Sequence, residues 1–279
     1  MSIRKPILAG SWYPDTGSEC EKEIRKFLED ERVKKITNEK IRGGIAPHAG
    51  WFFSGNIACN VIHALGREKE PDVIVIFGMH LHKDSPCSIM ADGEWETPFG
   101  NLKIEKDLAG ELMQRFAFET GEMFYQDNTI ELQVPFIKYF FQNVKIVTIG
   151  VPPVKESLEI GKTLAEISAG ISVKVIGSTD LTHYGMNYDF MPEGVGRKAV
   201  DWVRNVNDQQ IIDVMLALDP DELLSLASEN KNACCSGAAA TAISAAKHLG
   251  AEHAELLAYS NSYDKSPGDS FVGYAGIVF

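Results

Sequence analysis

The sequence lacks long apolar runs, and none approaches the ~20 residues of a membrane-spanning helix. It also lacks a basic cluster, and with 27 basic and 39 acidic residues its formal net charge is −12 at pH 7. Such a chain has no electrostatic footprint for nucleic acid or an anionic membrane, so we expect neither as a partner. The first ten residues are too short and interrupted for a signal peptide, and we expect a cytoplasmic protein.

Cysteine is scarce, with five residues in a chain of 279. An odd, small number of cysteines in a chain of this length does not predict a disulfide framework, so we expect reduced thiols. The sequence also lacks internal repeats, low-complexity tracts and linkers rich in proline, glycine or serine. Because the length suffices to bury one large core, we predict a single domain over residues 1–279.

What the sequence does contain is a series of short β-branched runs, which predict strands buried on both faces. They cover residues 41–46, 72–78, 144–150, 173–178, 256–259 and 272–279. Helical patterns separate them, at residues 18–30, 56–65, 130–141, 158–167, 196–218 (a helical pair), 219–227 and 238–247, and residues 92–103 are predicted to form a hairpin or an extended arm. This alternation predicts an α/β fold, a three-layer αβα sandwich around a mainly parallel or mixed sheet.

Polar side chains follow three of the predicted strands, at the edge where ligands bind in open α/β sheets. The first strand is followed by His48, the second by His80 and His82, and the third by Asp180 and His183. One histidine at a strand end often merely caps a carbonyl group. Three at separate strand ends predict a shared, metal-capable site, because neutral imidazole is the commonest transition-metal ligand in proteins.

Other residues near this edge have candidate roles. We expect Asp180 to orient an imidazole, and His183 to act as an acid or base. Cys234 precedes an alanine-rich helix, and a helix N-terminus favours a thiolate, whereas we interpret Cys235 as a packing thiol. Glu131 fits two interpretations equally well, a carboxylate at a helix start or a catalytic acid that faces the pocket.

Five segments, in this order, resemble the Memo family. They are residues 9–14 (AGSWYP), residues 47–51 (PHAGW), the His80 segment, the Asp180 and His183 segment, and Cys234, with Thr97-Pro98 between the third and fourth. The likeness covers nearly the whole chain. Because each motif is short, it is their common order and similar separations that make the resemblance specific.

The resemblance implies a fold similar to that of the class III extradiol dioxygenases, which are non-haem iron enzymes. Prokaryotic members of the family include protein B of the AmmeMemoRadiSam system, which implies a radical SAM protein as a partner. The family's metal ligands fall here on His48, His80 and Cys234. A thiolate in place of the dioxygenase carboxylate shifts the metal preference toward Fe(II), Cu(I) or Zn(II), and we expect Fe(II).

The sequence departs from the family pattern in two places. Family members commonly read Gly-Pro-Asn-His or Gly-Pro-Ser-His where this chain reads Gly-Met-His, one residue shorter. Separations from neighbouring motifs favour His80 as the ligand, with His82 as the alternative. Asn128 stands where the family usually has a histidine, although Glu131 is retained.

These observations support three functional hypotheses. The first is a mononuclear metalloprotein with redox or dioxygenase-like chemistry on a small molecule, with His183 as acid or base. The second is a metal-free cysteine enzyme, in which Cys234 is the nucleophile, His183 the base and Asp180 its orienting group. The third is a binding protein with a vestigial site, which holds a peptide or partner with aromatic anchors at Trp12, Tyr13, Trp51 and Phe52.

Overall fold

The computed structural model describes residues 2–37, 40–120 and 127–279. Its centre consists of β-branched runs such as VIVIFG, whose six residues are all buried. The strands are β1 (Ile3–Arg4), β2 (Gly43–Ala46), β3 (Val73–Gly78), β4 (Ser88–Ile89), β5 (Glu94–Thr97), β6 (Gly100–Lys103), β7 (Lys145–Gly150), β8 (Val173–Ser178), β9 (His183–Tyr184), β10 (Glu255–Asn261) and β11 (Phe271–Val278). All six strands predicted from sequence are among them.

The main sheet has the strand order β10-β11-β2-β8-β3-β7-β4, and β9 pairs with β11 outside this path. The four strands β2, β8, β3 and β7 run parallel to one another. At the two sides, β4 and the pair β10 and β11 run antiparallel to their neighbours. The mixed sheet is therefore confirmed, and its parallel centre brings the carboxyl ends of β2, β3 and β8 to one edge.

Helices cover both faces of this sheet. They are α1 (Gly17–Leu28), α2 (Asn56–Ala64), α3 (Lys106–Arg115), α4 (Asn128–Glu131), α5 (Val134–Phe140), α6 (Glu156–Ile167), α7 (Arg197–Trp202), α8 (Asp208–Leu216), α9 (Pro220–Asn230) and α10 (Ser236–His248). The helices α6 and α10 pack together on one face, and α1, α2 and α5 pack on the other. This arrangement confirms the three-layer α/β sandwich. Within the described residues, none of these helices is long and apolar enough to cross a membrane.

Helix α10 approaches the sheet unusually closely, because its buried face consists mainly of alanine. A Cβ atom at Gly177 of β8 would lie 2.9 Å from the Ala239 Cα atom. Only glycine permits this approach without a shift of the helix. The close packing holds the start of α10, and the residues before it, against the carboxyl end of β8.

The structure corrects two local predictions and confirms a third. The predicted helix 130–141 is two helices, α4 and α5, and Pro135 lies in the first turn of α5, where proline is tolerated. The predicted helical pair 196–218 is α7 and α8 joined through a π-helical turn at Val203–Asn207. The predicted helix 18–30 is α1, which begins at Gly17 and ends at Leu28. Its N-cap is Thr16, whose hydroxyl accepts from the Glu19 amide.

The predicted hairpin 92–103 is confirmed. Strands β5 and β6 pair antiparallel, with Thr97 opposite Gly100, and β1 adds a parallel third strand. Gly100 has a φ of +107°, which side-chain-bearing residues rarely adopt, so glycine at this turn is a conformational requirement.

Candidate metal centre

The carboxyl ends of three neighbouring strands carry the predicted site residues. His48 follows β2, His80 follows β3 and Asp180 follows β8. Strands β2 and β8 are paired up to Ala46 and Ser178, so the chains leave the sheet side by side. There the His48 amide donates a hydrogen bond of 2.7 Å to Asp180 Oδ1. The sheet register therefore fixes these loops relative to each other.

His48 is buried, with 1% of its surface exposed, and its two ring nitrogens have different partners. Nδ1 lies 3.0 Å from Ser178 Oγ, and that hydroxyl donates its own hydrogen to the Thr129 carbonyl at 2.6 Å. Ser178 must therefore accept from His48 Nδ1–H, because its single hydrogen is already used. In the neutral ring the lone pair is left on Nε2, which lies 3.3 Å from Cys234 Sγ.

His80 repeats this arrangement with its nitrogens exchanged. Nε2 lies 3.2 Å from Asn128 Oδ1, and Asn128 Nδ2 donates to the His48 carbonyl at 3.0 Å, which fixes the orientation of the amide. Nε2 therefore carries the hydrogen and Nδ1 the lone pair. Nδ1 lies 3.3 Å from Cys235 Sγ, and the exposed His80 ring stands perpendicular to that of His48, with the centroids 5.0 Å apart.

Both cysteines before α10 face these imidazoles. The Cys234 amide donates to the Asp180 carbonyl at 3.1 Å, and the Asp180 amide donates to Cys234 Sγ at 3.3 Å. The two sulfur atoms lie 3.8 Å apart. The interpretation of Cys235 as a packing thiol was incomplete, because the structure directs its sulfur toward His80.

Together these residues form what we call the donor cluster, His48, His80, Cys234 and Cys235. One candidate ligand atom from each lies within 4.8 Å of all the others. Imidazole nitrogens and cysteine sulfurs are the donors that suit zinc, copper and iron, so the chemistry of this set fits a transition metal of the predicted kind.

Charges within the cluster favour a thiolate. Burial opposes ionisation of Cys234, but hydrogen bonding by Cys235 and the charge and hydrogen bond of His48 hold the pKa of Cys234 well below its ordinary value. Burial likewise opposes protonation of His48, but the charges of Asp180 and Cys234 raise its pKa to about 9. In the metal-free protein these shifts favour a thiolate and an imidazolium, so a metal ion would bind His48 Nε2 in place of its proton. The thiolate is the form that binds metals.

A cavity of about 670 Å³ opens beside the donor cluster. His48 and His80 form part of its wall, together with polar and aromatic side chains, Ser11, Trp12, Phe52, Phe53, Asn128, Asp180, His183, Tyr188, Ser262, Ser266, Ser270 and Tyr274. A small molecule in the cavity would thus contact the two imidazoles directly.

Comparison with known proteins identifies the family. A family model described as Memo-like protein matches residues 4–278. The chain belongs to the Memo family. It is 33% identical to MEMO1 family proteins of Pyrococcus furiosus and Pyrococcus horikoshii, over 99% of this chain and 98% of each relative. A MEMO1 family protein of Pyrobaculum aerophilum is also 33% identical, over 100% of this chain and 99% of its own.

A solved structure is also similar, an uncharacterized protein from Escherichia coli K12. It covers 86% of this chain and 100% of its own at 10% identity, with a TM-score of 0.49. A likeness of that size carries no argument about the chemistry of this Memo family member.

His183 lines the same cavity as His48 and His80 but lies outside the donor cluster. Its Nδ1 is 3.2 Å from the Leu181 carbonyl, which can only accept, so Nε2 carries the lone pair. The ring stands perpendicular to Tyr188, with the centroids 4.8 Å apart. The Leu181 carbonyl therefore orients the His183 ring, whereas the sequence had suggested that Asp180 does so.

Asp180 instead supports His48. Its Oδ1 accepts from the His48 amide, and its Oδ2 lies 3.8 Å from His48 Nε2. Burial raises the pKa of Asp180, while the nearby His48 charge opposes that shift. Its expected role as an orienting group thus has a structural basis at His48.

Glu131 is not among the residues that line the cavity. It is 1% exposed, and its Oε1 accepts from the amides of Ile7 and Leu8, at 2.8 and 2.7 Å, and from the Tyr13 hydroxyl at 3.3 Å. Burial raises the pKa of Glu131. These contacts tie the N-terminal segment to α4, so they correct the interpretation of Glu131 as an acid that faces the pocket.

The alternative ligand His82 points elsewhere. Its Nδ1 lies 3.3 Å from Asp84 Oδ2, and both side chains are largely exposed, at 72% and 78%. Of the two histidines that follow β3, the structure brings only His80 into the donor cluster.

Proposed function

We propose that this Memo family protein binds one transition-metal ion and uses it in redox or dioxygenase-like chemistry on a small molecule in the cavity. One observation carries the proposal: the lone pairs of His48 Nε2 and His80 Nδ1 both face cysteine sulfur. Each imidazole is fixed through its other nitrogen, by Ser178 or Asn128. Metal-ligating histidines are held in this way, with one nitrogen bonded to the protein and the other presented to the metal.

The residues that would hold the metal are His48, His80 and Cys234. Their donor chemistry fits Fe(II), with Cu(I) and Zn(II) as alternatives. A bound iron or copper ion would supply redox chemistry, and a zinc ion would supply Lewis acidity.

The remaining cavity residues act on the small molecule itself. His183 is oriented with Nε2 as its proton acceptor, so it is the base that would take a proton from a substrate hydroxyl. Trp12, Phe52 and Tyr188 would supply aromatic contact area to a molecule in the cavity.

Elemental analysis tests the proposal. We would purify the protein anaerobically without chelators, reconstitute it with Fe(II), and measure metal content and oxygen uptake with a panel of catechols. The parent is expected to bind close to one metal ion per chain, and folded His48→Ala and Cys234→Ser variants are expected to lose most of it during purification. His82→Ala serves as the matched histidine control. Absence of metal from the parent, before and after reconstitution, would contradict the proposal.

One observation favours a second candidate, a metal-free cysteine enzyme. Cys234 Sγ lies 3.3 Å from His48 Nε2, and their pKa values are shifted toward a thiolate and an imidazolium. In this enzyme the base would be His48, and not His183 as the sequence suggested. Selective iodoacetamide labelling of Cys234 in metal-free protein, slowed by His48→Ala, would support it, provided the parent binds no metal.

A further inference from the structure

A second thiol stands beside the three donors that the Memo resemblance names. We propose that Cys235 Sγ is a fourth protein donor, so that two imidazoles and two thiolates hold the metal. This inference rests on the proposed metal-binding function. It adds the number of protein ligands and the class of metal that they select.

The distances between candidate donor atoms support four ligands. Cys235 Sγ lies 3.3 Å from His80 Nδ1 and 3.8 Å from Cys234 Sγ, and Cys234 Sγ lies 3.3 Å from His48 Nε2. Around a tetrahedral ion, metal–sulfur bonds of about 2.3 Å and metal–nitrogen bonds of about 2.0 Å separate neighbouring donors by roughly 3.3–3.8 Å. The three measured separations therefore match three of the six edges of a tetrahedral set, and the other three are no longer than 4.8 Å.

The main chain explains how two successive residues can face one point. Adjacent side chains of an extended chain normally project to opposite sides. Here Cys235 is the N-cap of α10, with φ −126° and ψ 55°, and the chain turns at this residue. The Cys234 amide donates to the Asp180 carbonyl at 3.1 Å, and the Cys235 amide donates to Thr179 Oγ1 at 3.0 Å. The end of β8 thus holds both sulfurs toward the imidazoles.

The surroundings of Cys235 differ from those of a cysteine that only packs. Cys20 is also buried, and its thiol donates to the Pro14 carbonyl at 3.1 Å, which satisfies its one hydrogen. Cys235 is 5% exposed, but its sulfur contacts the lone pair of His80 and the sulfur of Cys234. Both contacts are with groups that can ligate a metal.

A fourth donor changes what the centre can do. Two thiolates favour Zn(II) or Cu(I) over metals with harder ligand preferences. Catalytic zinc sites usually keep one position open, whereas four protein donors complete a tetrahedral set. A molecule in the cavity would reach the metal only as a fifth ligand or after one donor had left.

Anaerobic titration with Co(II) tests this proposal, because the charge-transfer absorption of cobalt counts its thiolate ligands. We expect the parent to bind one Co(II) per chain. Cys235→Ser and Cys235→Ala are expected to retain the ion, with charge-transfer absorption reduced to about half and affinity reduced on the order of 100-fold. Cys87→Ser, which removes a partly buried thiol outside the donor cluster, should match the parent.

The outcomes separate this inference from the function on which it rests. If the parent binds Co(II) and both Cys235 variants keep its absorption and affinity, the fourth donor is overturned and the proposed metal binding stands. If the parent binds neither Co(II) nor Zn(II), both proposals fail. X-ray absorption of the Zn(II)-loaded parent needs no variant: two sulfur ligands support the proposal, and one sulfur ligand contradicts it.

Discussion

Two clusters of polar side chains lie near the end of β8. They differ in whether hydrogen bonds within the protein satisfy all of their polar atoms. In the Asp208 cluster, Oδ1 accepts from both the amide and the hydroxyl of Thr182, and Oδ2 accepts from the Tyr259 hydroxyl at 2.7 Å. Asn207 Nδ2 donates to the Thr182 hydroxyl at 2.9 Å. Both oxygens of this fully buried carboxyl group are therefore satisfied inside the protein.

In the donor cluster, hydrogen bonds to the surrounding protein satisfy only one nitrogen of each imidazole. Ser178 and Asn128 each bind one nitrogen of an imidazole, and the remaining nitrogens face sulfur. The comparison teaches that burial alone does not identify a functional site. A cluster whose polar groups are all hydrogen-bonded to one another stabilises the fold. A cluster that directs several donor atoms toward a common point can hold a ligand.

The largest expected effect is on stability, at the Asp208 cluster. Asp208→Ala leaves three buried donor groups without their acceptor, and we expect the free energy of unfolding to fall by about 3–5 kcal/mol. Urea denaturation of the metal-free protein measures it. A loss below about 1 kcal/mol would remove the structural role that we give this cluster.

The second effect is a pH dependence at the same carboxyl group. Burial raises the pKa of Asp208 to about 6, despite hydrogen bonds from Thr182 and Tyr259 that favour its charged form. Because the folded pKa exceeds the unfolded value of about 3.9, the stabilisation is fully present below about pH 4 and is lost as the pH rises through about 6. We therefore expect the metal-free parent to gain on the order of 2–3 kcal/mol over Asp208→Asn between pH 7 and pH 4. If the free energy of unfolding differed between parent and Asp208→Asn by the same amount at pH 7 and pH 4, the raised pKa of Asp208 would be contradicted.

The third effect concerns metal affinity without a direct ligand. Asn128→Leu removes the acceptor that holds His80 Nε2–H, so the ring is free to turn its lone pair away from the cluster. We expect metal affinity to fall roughly 10–100-fold, as measured by competition with a chelator. Asn143→Leu, at an exposed position between α5 and β7, is the matched control. Equal affinities in the two variants would show that Asn128 does not orient a ligand.

The smallest expected effect is at His82. Its exposed side chain pairs with Asp84, so His82→Ala should bind metal with an affinity within about twofold of the parent. The same chelator competition provides the measurement. A loss of metal affinity in His82→Ala as large as that in His80→Ala would contradict the conclusion that only His80 is a ligand.

Much of this site was predictable from sequence, because the ends of the strands can be identified from the ends of buried apolar runs. The buried runs that end at Ala46, Gly78 and Ser178 placed His48, His80 and Asp180 at one edge of the sheet, which the structure confirms. The periodicity of apolar residues depends on local sequence, so strands and their ends can be predicted without knowledge of the tertiary contacts.

What sequence could not supply were directions of side chains that depend on distant contacts. The sulfur of Cys235 faces His80 because Thr179, 56 residues away, holds its amide. Glu131 faces Ile7 and Leu8, more than 120 residues away, and not the cavity. The signal available in the sequence was the pair of adjacent cysteines, Cys234 and Cys235, directly before the predicted alanine-rich helix.

The most direct test of the account is a crystal structure of the metal-loaded protein, with anomalous diffraction measured at the absorption edge of the bound metal. A single anomalous peak is expected within bonding distance of His48 Nε2, His80 Nδ1 and Cys234 Sγ. A peak at other residues, or none in crystals of protein shown to contain metal, would contradict it.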